Sequence, residues 1–195
     1  MDTSTFRSQH ILSTLAGEAL PGWTQVAADI RTMTLKAQDW VFHHDEIHPY
    51  LYVVVRGCVK LLYVQEDGKE WIKSFSSENH IFASMAALED RGRTSFAVQT
   101  VTDTVLERLP FKALLQQAEQ HPVWEKALRR GFQAFAARKE KRERELLTLS
   151  AAQRYHAVLS EEPDLVNRVS QKDLASYLGV TPVGLNRIIR RSMVA

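Results

Sequence analysis

The sequence has very little cysteine: Cys58 is the only one among 195 residues. A disulfide within the chain is therefore excluded, and a zinc or iron–sulfur site built from several cysteines is not expected. A chain that does not depend on disulfides suits a reducing compartment. We therefore expect the protein to be cytoplasmic.

Long hydrophobic runs are also missing. Among the longest is Leu51–Val55, which is far shorter than the ~20 apolar residues that a membrane-spanning helix needs. The first 20 residues contain no apolar segment of the kind found in signal peptides. We therefore expect neither a membrane partner nor an export signal.

The chain has little net charge, and its formal value of +2 says almost nothing about partners. Its 45% hydrophobic and 25% charged residues are typical of a soluble protein with a buried core, and its length suits one to two domains. The sequence contains no recognisable nucleophile–base pair and no glycine-rich phosphate loop. We therefore do not expect an enzyme.

The region between residues 30 and 110 has the pattern of short β-strands. Strands are predicted at residues 50–55, 58–64, 71–75, 95–101 and 104–110. Asp67-Gly68 marks a hairpin turn between the second and third of these. Several short strands at this spacing predict a β-sandwich or a small roll. We expect Trp40, Trp71 and Phe82 to fill its interior, with a ligand cavity lined by them as the alternative.

Residues 122–150 repeat apolar side chains every three or four positions, which predicts one long helix starting near Pro122. A helix of ~28 residues is ~42 Å long, more than a small domain needs, so we expect it to pair with a second copy. The charged block Arg138–Glu145 is predicted to be a solvated face. The predicted dimerisation residues are Trp124, Leu128, Phe132, Phe135, Leu146 and Leu149. A short helix and a linker are predicted over residues 151–167.

Residues 169–194 have the strongest pattern, which predicts a helix-turn-helix. Ser170 suits the N-cap of the first helix, and Gly179 can end that helix in the left-handed conformation. Thr181 can cap the second helix, with Pro182 at its first position. The apolar residues predicted to bury the two helices against each other are Leu174, Ala175, Leu178, Leu185, Ile188 and Ile189.

The second helix of such a module enters the major groove of DNA. Arg187 is the candidate for reading guanine, because a guanidinium can bind O6 and N7 together. Arg190 and Arg191 suit the phosphate backbone. The predicted DNA-binding residues are Ser170, Gln171, Thr181, Pro182, Val183, Asn186, Arg187, Arg190 and Arg191. The alternative is a small-molecule-binding module whose terminal helices contact protein rather than DNA.

The order of roll, long helix and helix-turn-helix resembles the CRP/FNR family of bacterial transcription regulators. The resemblance covers residues 20–191 and is carried by Leu51–Leu61, Asp67–Glu70, Asp103–Leu106 and Ser170–Pro182. It implies a homodimer that reads palindromic double-stranded DNA, with RNA polymerase as a further partner.

The resemblance also implies an α+β fold in three parts. Residues 1–121 would form a jelly-roll-like β-roll of the cyclic-nucleotide-binding type. Residues 122–150 would form the dimerisation helix, and residues 151–195 a helix-turn-helix domain without a complete wing.

The sequence departs from the family at the nucleotide pocket. Members that bind cyclic nucleotides carry Gly-Glu for the ribose and Arg-Ser (or Arg-Thr) for the phosphate. Ala83-Ser84 and Thr94-Ser95 stand at these positions, and Arg93 lies one residue too early, which reverses the face of a strand residue. These five residues remain the ligand-binding candidates. Classic cAMP binding is not expected, and no cofactor is identified.

The recognition helix departs from the family as well. Val183 stands where many members have a glutamate that reads cytosine. A valine cannot accept a hydrogen bond but can contact a thymine methyl group. We therefore expect a DNA half-site that differs from the usual one.

Two further features leave alternatives open. Cys58 is predicted to be a small buried residue in a strand, with a redox-sensing thiolate beside Arg56 and Lys60 as the alternative. The segment His43–His48 (with His43, His44 and His48) is predicted to be a polar loop, with a metal site as the alternative. No metal site is predicted.

Overall fold

The computed structural model of the protein describes residues 6–192. In chain order, its elements are α1 (Arg7–Ala16), α2 (Trp23–Asp29), β1 (Arg31–Leu35), β2 (Trp40–Phe42), β3 (Tyr50–Arg56), β4 (Val59–Val64), β5 (Glu70–Ser76), β6 (Ile81–Phe82), a 3-10 turn (Met85–Leu88), β7 (Ala97–Thr100), β8 (Thr104–Pro110), α3 (Phe111–Gln120), α4 (Pro122–Thr148), α5 (Ala151–Glu161), α6 (Pro163–Arg168), α7 (Gln171–Tyr177) and α8 (Pro182–Ser192). The end of the predicted helix-turn-helix, residues 193–194, lies outside the described residues.

Two four-stranded antiparallel sheets form the roll, in the orders β1-β8-β3-β6 and β2-β7-β4-β5. Alternating apolar side chains of both sheets meet in one core that contains Phe42, Tyr52, Phe82 and Phe96. The predicted hairpin is confirmed: β4 and β5 pair across the turn, where Gly68 adopts a φ of +78°. The prediction of an α+β fold with a jelly-roll-like N-terminal part is confirmed.

A second core lies where α1, α2, α3 and the first half of α4 cover the roll. The rings of Trp23 and Trp124 stack there with centroids 5.9 Å apart, and Trp124 Nε1 donates to the Pro21 carbonyl at 2.7 Å. Trp124 is 0% exposed and Leu128 is 7% exposed inside this core. The prediction that these two residues form dimer contacts is therefore wrong, because their apolar surface is already buried within the chain.

The C-terminal helices α5 to α8 enclose a third core around Tyr155, Leu165 and Leu185. Ser150 starts α5 with a capping box, in which its hydroxyl accepts from Gln153 N. The linker predicted before residue 167 is instead the helix α6. Proline is tolerated in the first turn of a helix, so Pro163 begins α6 rather than breaking the chain.

Candidate DNA interface and its attachment to the roll

Helices α7 and α8 form the turn that the sequence predicts. The Ser170 hydroxyl accepts from Asp173 N at 3.0 Å, and the Thr181 hydroxyl accepts from Gly184 N at 3.1 Å, so both helices begin at a capped residue. Gly179 has a φ of +69°, as its predicted role at the end of α7 requires. The buried contact between the helices contains Leu174, Ala175, Leu178 and Leu185, while Ile188 and Ile189 are half-buried.

The opposite face of α8 is open to solvent. Val183 is 61% exposed, and the side chains of the other eight predicted DNA-binding residues are exposed as well. Among residues 6–192, no carboxylate lies within 4 Å of the guanidinium groups of Arg187, Arg190 or Arg191. Among the described residues, this face therefore presents three positive charges without a carboxylate partner, together with an exposed apolar side chain.

Helix α7 is attached to β5 of the roll by polar contacts that the sequence pattern does not predict. The Ser176 hydroxyl accepts from Ile72 N at 3.0 Å and donates to the Glu70 carbonyl at 3.3 Å. The Lys60 ammonium lies 3.4 Å from both Asp173 Oδ1 and Glu70 Oε2. Lys60 and Asp173 are buried, so this ion pair joins the two parts of the molecule away from water. Because 113 residues separate them, no local pattern could reveal the pair.

Two arginines hold the end of α4 against the helix-turn-helix. The Arg142 guanidinium lies 3.8 Å above the Tyr177 ring and donates to the Tyr177 carbonyl. Arg154 Nη2 donates to the Leu178 carbonyl at 2.9 Å, and its Nη1 donates to the Leu149 carbonyl at 2.6 Å. The charged block of α4 is thus more than the predicted solvated face, because its Arg142 binds α7.

Cys58 belongs to the same junction. It lies in the turn between β3 and β4 rather than in a strand, and it is fully buried against the core of the C-terminal helices. Burial raises the pKa of its thiol to about 12, outweighing the nearby charge of Arg168. Arg56 is exposed and Lys60 is engaged by two carboxylates. The structure therefore gives no support to a reactive thiolate activated by these two residues.

The polar side chains at the predicted ligand positions already form hydrogen bonds within the protein. Ser84 Oγ accepts from Ser95 N at 3.0 Å, and Thr94 Oγ1 donates to the His43 carbonyl at 2.5 Å. Thr94 Oγ1 also accepts from a backbone amide at 2.9 Å. Arg93 donates to the Asp45 carbonyl and is exposed. Thr94 and Arg93 thus hold the loop of residues 43–46 in place, and Ala83 has no polar side-chain group.

The prediction that three aromatic side chains fill the roll is correct only for Phe82. Trp40 is 37% exposed and Trp71 is 40% exposed. His48 Nδ1 lies 2.9 Å from the Tyr52 hydroxyl, and burial lowers the pKa of His48. No three His, Cys, Asp or Glu side chains within the described part of the chain are arranged to hold a metal ion.

Residues 32–121, which span the strands of the roll and α3, match the protein family described as the cyclic nucleotide-binding domain. This part of the chain is therefore similar to a cyclic nucleotide-binding domain. The match ends at residue 121, directly before α4, so it does not include the long helix or the helix-turn-helix.

Solved structures of three bacterial proteins are similar to most of this chain. FixK2 from Bradyrhizobium japonicum matches with a TM-score of 0.74 at 19% identity, covering 85% of this chain and 85% of that chain. The c-di-GMP-responsive regulator CLP from Xanthomonas campestris has a TM-score of 0.69 at 18% identity, covering 88% and 90%. The catabolite activator protein of Thermus thermophilus has a TM-score of 0.55 at 20% identity, covering 93% and 85%.

These similarities confirm the resemblance to the CRP/FNR regulators at the level of the fold. No curated protein matches the sequence. Within residues 6–192, none of the helices combines the length and the apolar character needed to cross a membrane.

Proposed function

We propose that this chain is a sequence-specific DNA-binding transcription regulator that acts as a homodimer and is not controlled by classic cyclic nucleotide binding. The observation that carries the proposal is the solvent-exposed face of α8, with Val183 at its N-terminal end and three arginines along it. A capped, exposed helix held on a second helix is the geometry that enters a major groove. The proposal assigns no catalytic step to the protein.

Each exposed group on α8 suits a different part of DNA. Arg187 is the proposed base reader, because its guanidinium can bind guanine O6 and N7 together. Val183 is proposed to contact a thymine methyl group. Arg190 and Arg191 lie in the last turn of α8, further from its N-terminal end, and are assigned to phosphates.

The exposed apolar residues of α4 support the homodimer. Leu147 is 78% exposed and Leu146 is 44% exposed, whereas Trp124, Ala127 and Leu128 in the first half of the helix are buried in their own chain. Two copies joined along the second half of α4 would present two α8 helices about one DNA turn apart, ~34 Å, and so read a palindrome. Leu147→Asp is expected to yield a monomer in sedimentation, and a dimer that survives this change would contradict the interface.

The hydrogen bonds of Ser84 and Thr94 support independence from cyclic nucleotides. Both side chains are buried and bonded within the protein, and Arg93 is held outside by Asp45. A cyclic nucleotide at these positions would have to replace those bonds without gaining a glutamate for the ribose. We further propose that the protein acts in the cytoplasm, together with RNA polymerase.

The test is selection of bound sequences from random double-stranded DNA by the full-length protein, with and without cAMP. One palindromic site should emerge in both cases. Arg187→Ala should then lose discrimination at one base pair per half-site, worth ~1–3 kcal/mol. Its matched control, Arg190→Ala, should weaken all DNA alike and reduce the slope of log K against log salt by about 1.

The proposal is contradicted if no preferred sequence emerges. Equal losses of discrimination in both arginine variants would contradict the assignment of Arg187. A requirement for cAMP would contradict the proposed independence from cyclic nucleotides.

A further inference from the structure

The outer edge of β5 is covered by a side chain of the helix-turn-helix. Among residues 6–192, β5 is the last strand of its sheet, so one edge of its backbone pairs with no further strand. Ser176 of α7 binds two groups of that edge, because its hydroxyl accepts from Ile72 N at 3.0 Å and donates to the Glu70 carbonyl at 3.3 Å. Hydrogen bonds are directional, so these two bonds hold α7 at one position along β5.

An ion pair fixes the same helix three residues earlier. Asp173 Oδ1 lies 3.4 Å from the Lys60 ammonium, which lies equally far from Glu70 Oε2. Lys60 is only 4% exposed and Asp173 only 8% exposed. A rotation or slide of α7 would separate these buried charges, which costs more than moving one apolar surface over another. The ion pair therefore restricts the rotation of α7 as well as its position.

The position of α7 is transmitted to α8 by a short and packed connection. Only residues 178–181 separate the two helices, and Leu174 of α7 is buried in the same cluster as Leu185 of α8. Arg142 of α4 also binds Tyr177 at the end of α7. The orientation of α8 is thus tied both to the roll and to the helix proposed to join the two copies.

We propose that the polar contacts between α7 and the roll determine which spacing of two DNA half-sites the dimer reads. The residues that make these contacts, which we call the clamp, are Lys60, Glu70, Asp173 and Ser176. They are positioning residues, because the Lys60 ammonium is buried and the Ser176 hydroxyl is bound to β5. The inference rests on the proposed function, since spacing has a meaning only for a dimer that reads DNA.

The spacing of half-sites is a sensitive measure of how rigidly two α8 helices are held. One additional base pair moves the second half-site by about 3.4 Å and turns it by about 35° around the DNA axis. Two rigidly held helices match only one such position. At other spacings the second copy cannot add its contacts to those of the first. A helix released from the clamp can follow a displaced half-site, so several spacings become acceptable.

The test uses the half-site that emerges from selection of random DNA by the full-length protein. Two copies of it are placed in duplexes whose central spacer is lengthened or shortened in steps of one base pair, and affinities are measured at one salt concentration. The unchanged protein should bind the best spacer about tenfold or more tightly than its neighbours. Lys60→Met and Ser176→Ala should each reduce that preference to about threefold or less, with affinity for a single half-site unchanged within about twofold.

Two control variants separate positioning from a general loss of stability. Ser176 is half-buried, so Ser176→Thr can keep the hydroxyl and should keep the spacer preference. Lys126→Met is the matched control for Lys60→Met, because Lys126 pairs with Glu18 and has no bond to α7 or β5. This control should also keep the preference of the unchanged protein.

A measurement without DNA tests the clamp independently of the proposed function. Cys58 is buried against the C-terminal helices, so its labelling by a thiol reagent reports their separation from the roll. Ser176→Ala should accelerate labelling by about fivefold or more. Unchanged labelling would overturn the clamp, and a spacer preference retained in Lys60→Met/Ser176→Ala would overturn its role in positioning. If the unchanged protein prefers no half-site although labelling responds to Ser176→Ala, the proposed function is refuted and the clamp is not.

Discussion

Two lysines on neighbouring strands of the same sheet have opposite surroundings. Lys60 on β4 is buried and has two carboxylates 3.4 Å away, one of them on the helix-turn-helix. Lys73 on β5 is half-buried and has another lysine as its charged neighbour. The Lys60 ammonium thus joins two parts of the protein. The Lys73 ammonium is partly removed from water, and the described residues offer it no opposite charge that would offset this cost.

The difference shows that a lysine can either connect two parts of a fold or remain available to an anion. A buried charge whose partners belong to the chain restricts how the parts of that chain can be arranged. A partly buried charge without such partners raises the free energy of the protein without a ligand. Binding of an opposite charge can lower that free energy again. Variants of the two lysines should therefore differ in the free energy of unfolding, in the accessibility of Cys58 to thiol reagents and in the pH dependence of stability.

The largest effect is expected for Lys60→Met, which leaves the buried Asp173 carboxylate without its cation. We expect the free energy of unfolding, measured in urea, to fall by about 3 kcal/mol. Lys60→Met/Asp173→Leu should recover most of that loss, because apolar side chains can replace a buried pair. An unchanged stability of the single variant would show that the ion pair contributes nothing to the junction.

A smaller effect is expected in the reactivity of Cys58, whose burial depends on the helix-turn-helix remaining against the roll. Labelling of the native protein by a thiol reagent at pH 8 should be slow, because burial raises the thiol pKa to about 12. Lys60→Met should accelerate labelling by about tenfold or more, since it favours separation of the two parts. Lys73→Met serves as the control, and equal acceleration by both variants would remove the distinction between the lysines.

The smallest effect concerns pH. The pKa of Lys73 is lowered from 10.5 to about 7 by folding, so the unfolded chain binds more protons between these values. Stability should therefore rise with pH above about 7, and Lys73→Met should abolish that rise. Between pH 7 and 9, we expect the unchanged protein to gain about 1 kcal/mol relative to the variant in urea unfolding. Parallel pH profiles would show that Lys73 is not desolvated.

Features that depend on neighbouring residues could be predicted from the sequence. The caps at Ser170 and Thr181, the left-handed Gly179 and the hairpin at Gly68 follow from what each side chain permits the adjacent backbone to do. The order of roll, long helix and helix-turn-helix could be read for the same reason, since periodicity is a local property.

Only the tertiary structure decided which apolar and charged surfaces are buried within the chain itself. Apolar spacing predicts that Trp124 and Leu146 both lie on a face to be buried, but α1, α2 and α3 cover Trp124 and leave Leu146 exposed. In the same way, the sequence cannot distinguish Lys60 from Lys73. The Asp173 partner of Lys60 lies 113 residues away, and the β-bulge that orients Lys73 depends on the register of β4 and β5. The sequence alone thus determined where the helices of the DNA-binding module begin and end. Long-range packing determined which charges and apolar faces remain free for a partner, because burial depends on contacts that no local pattern contains.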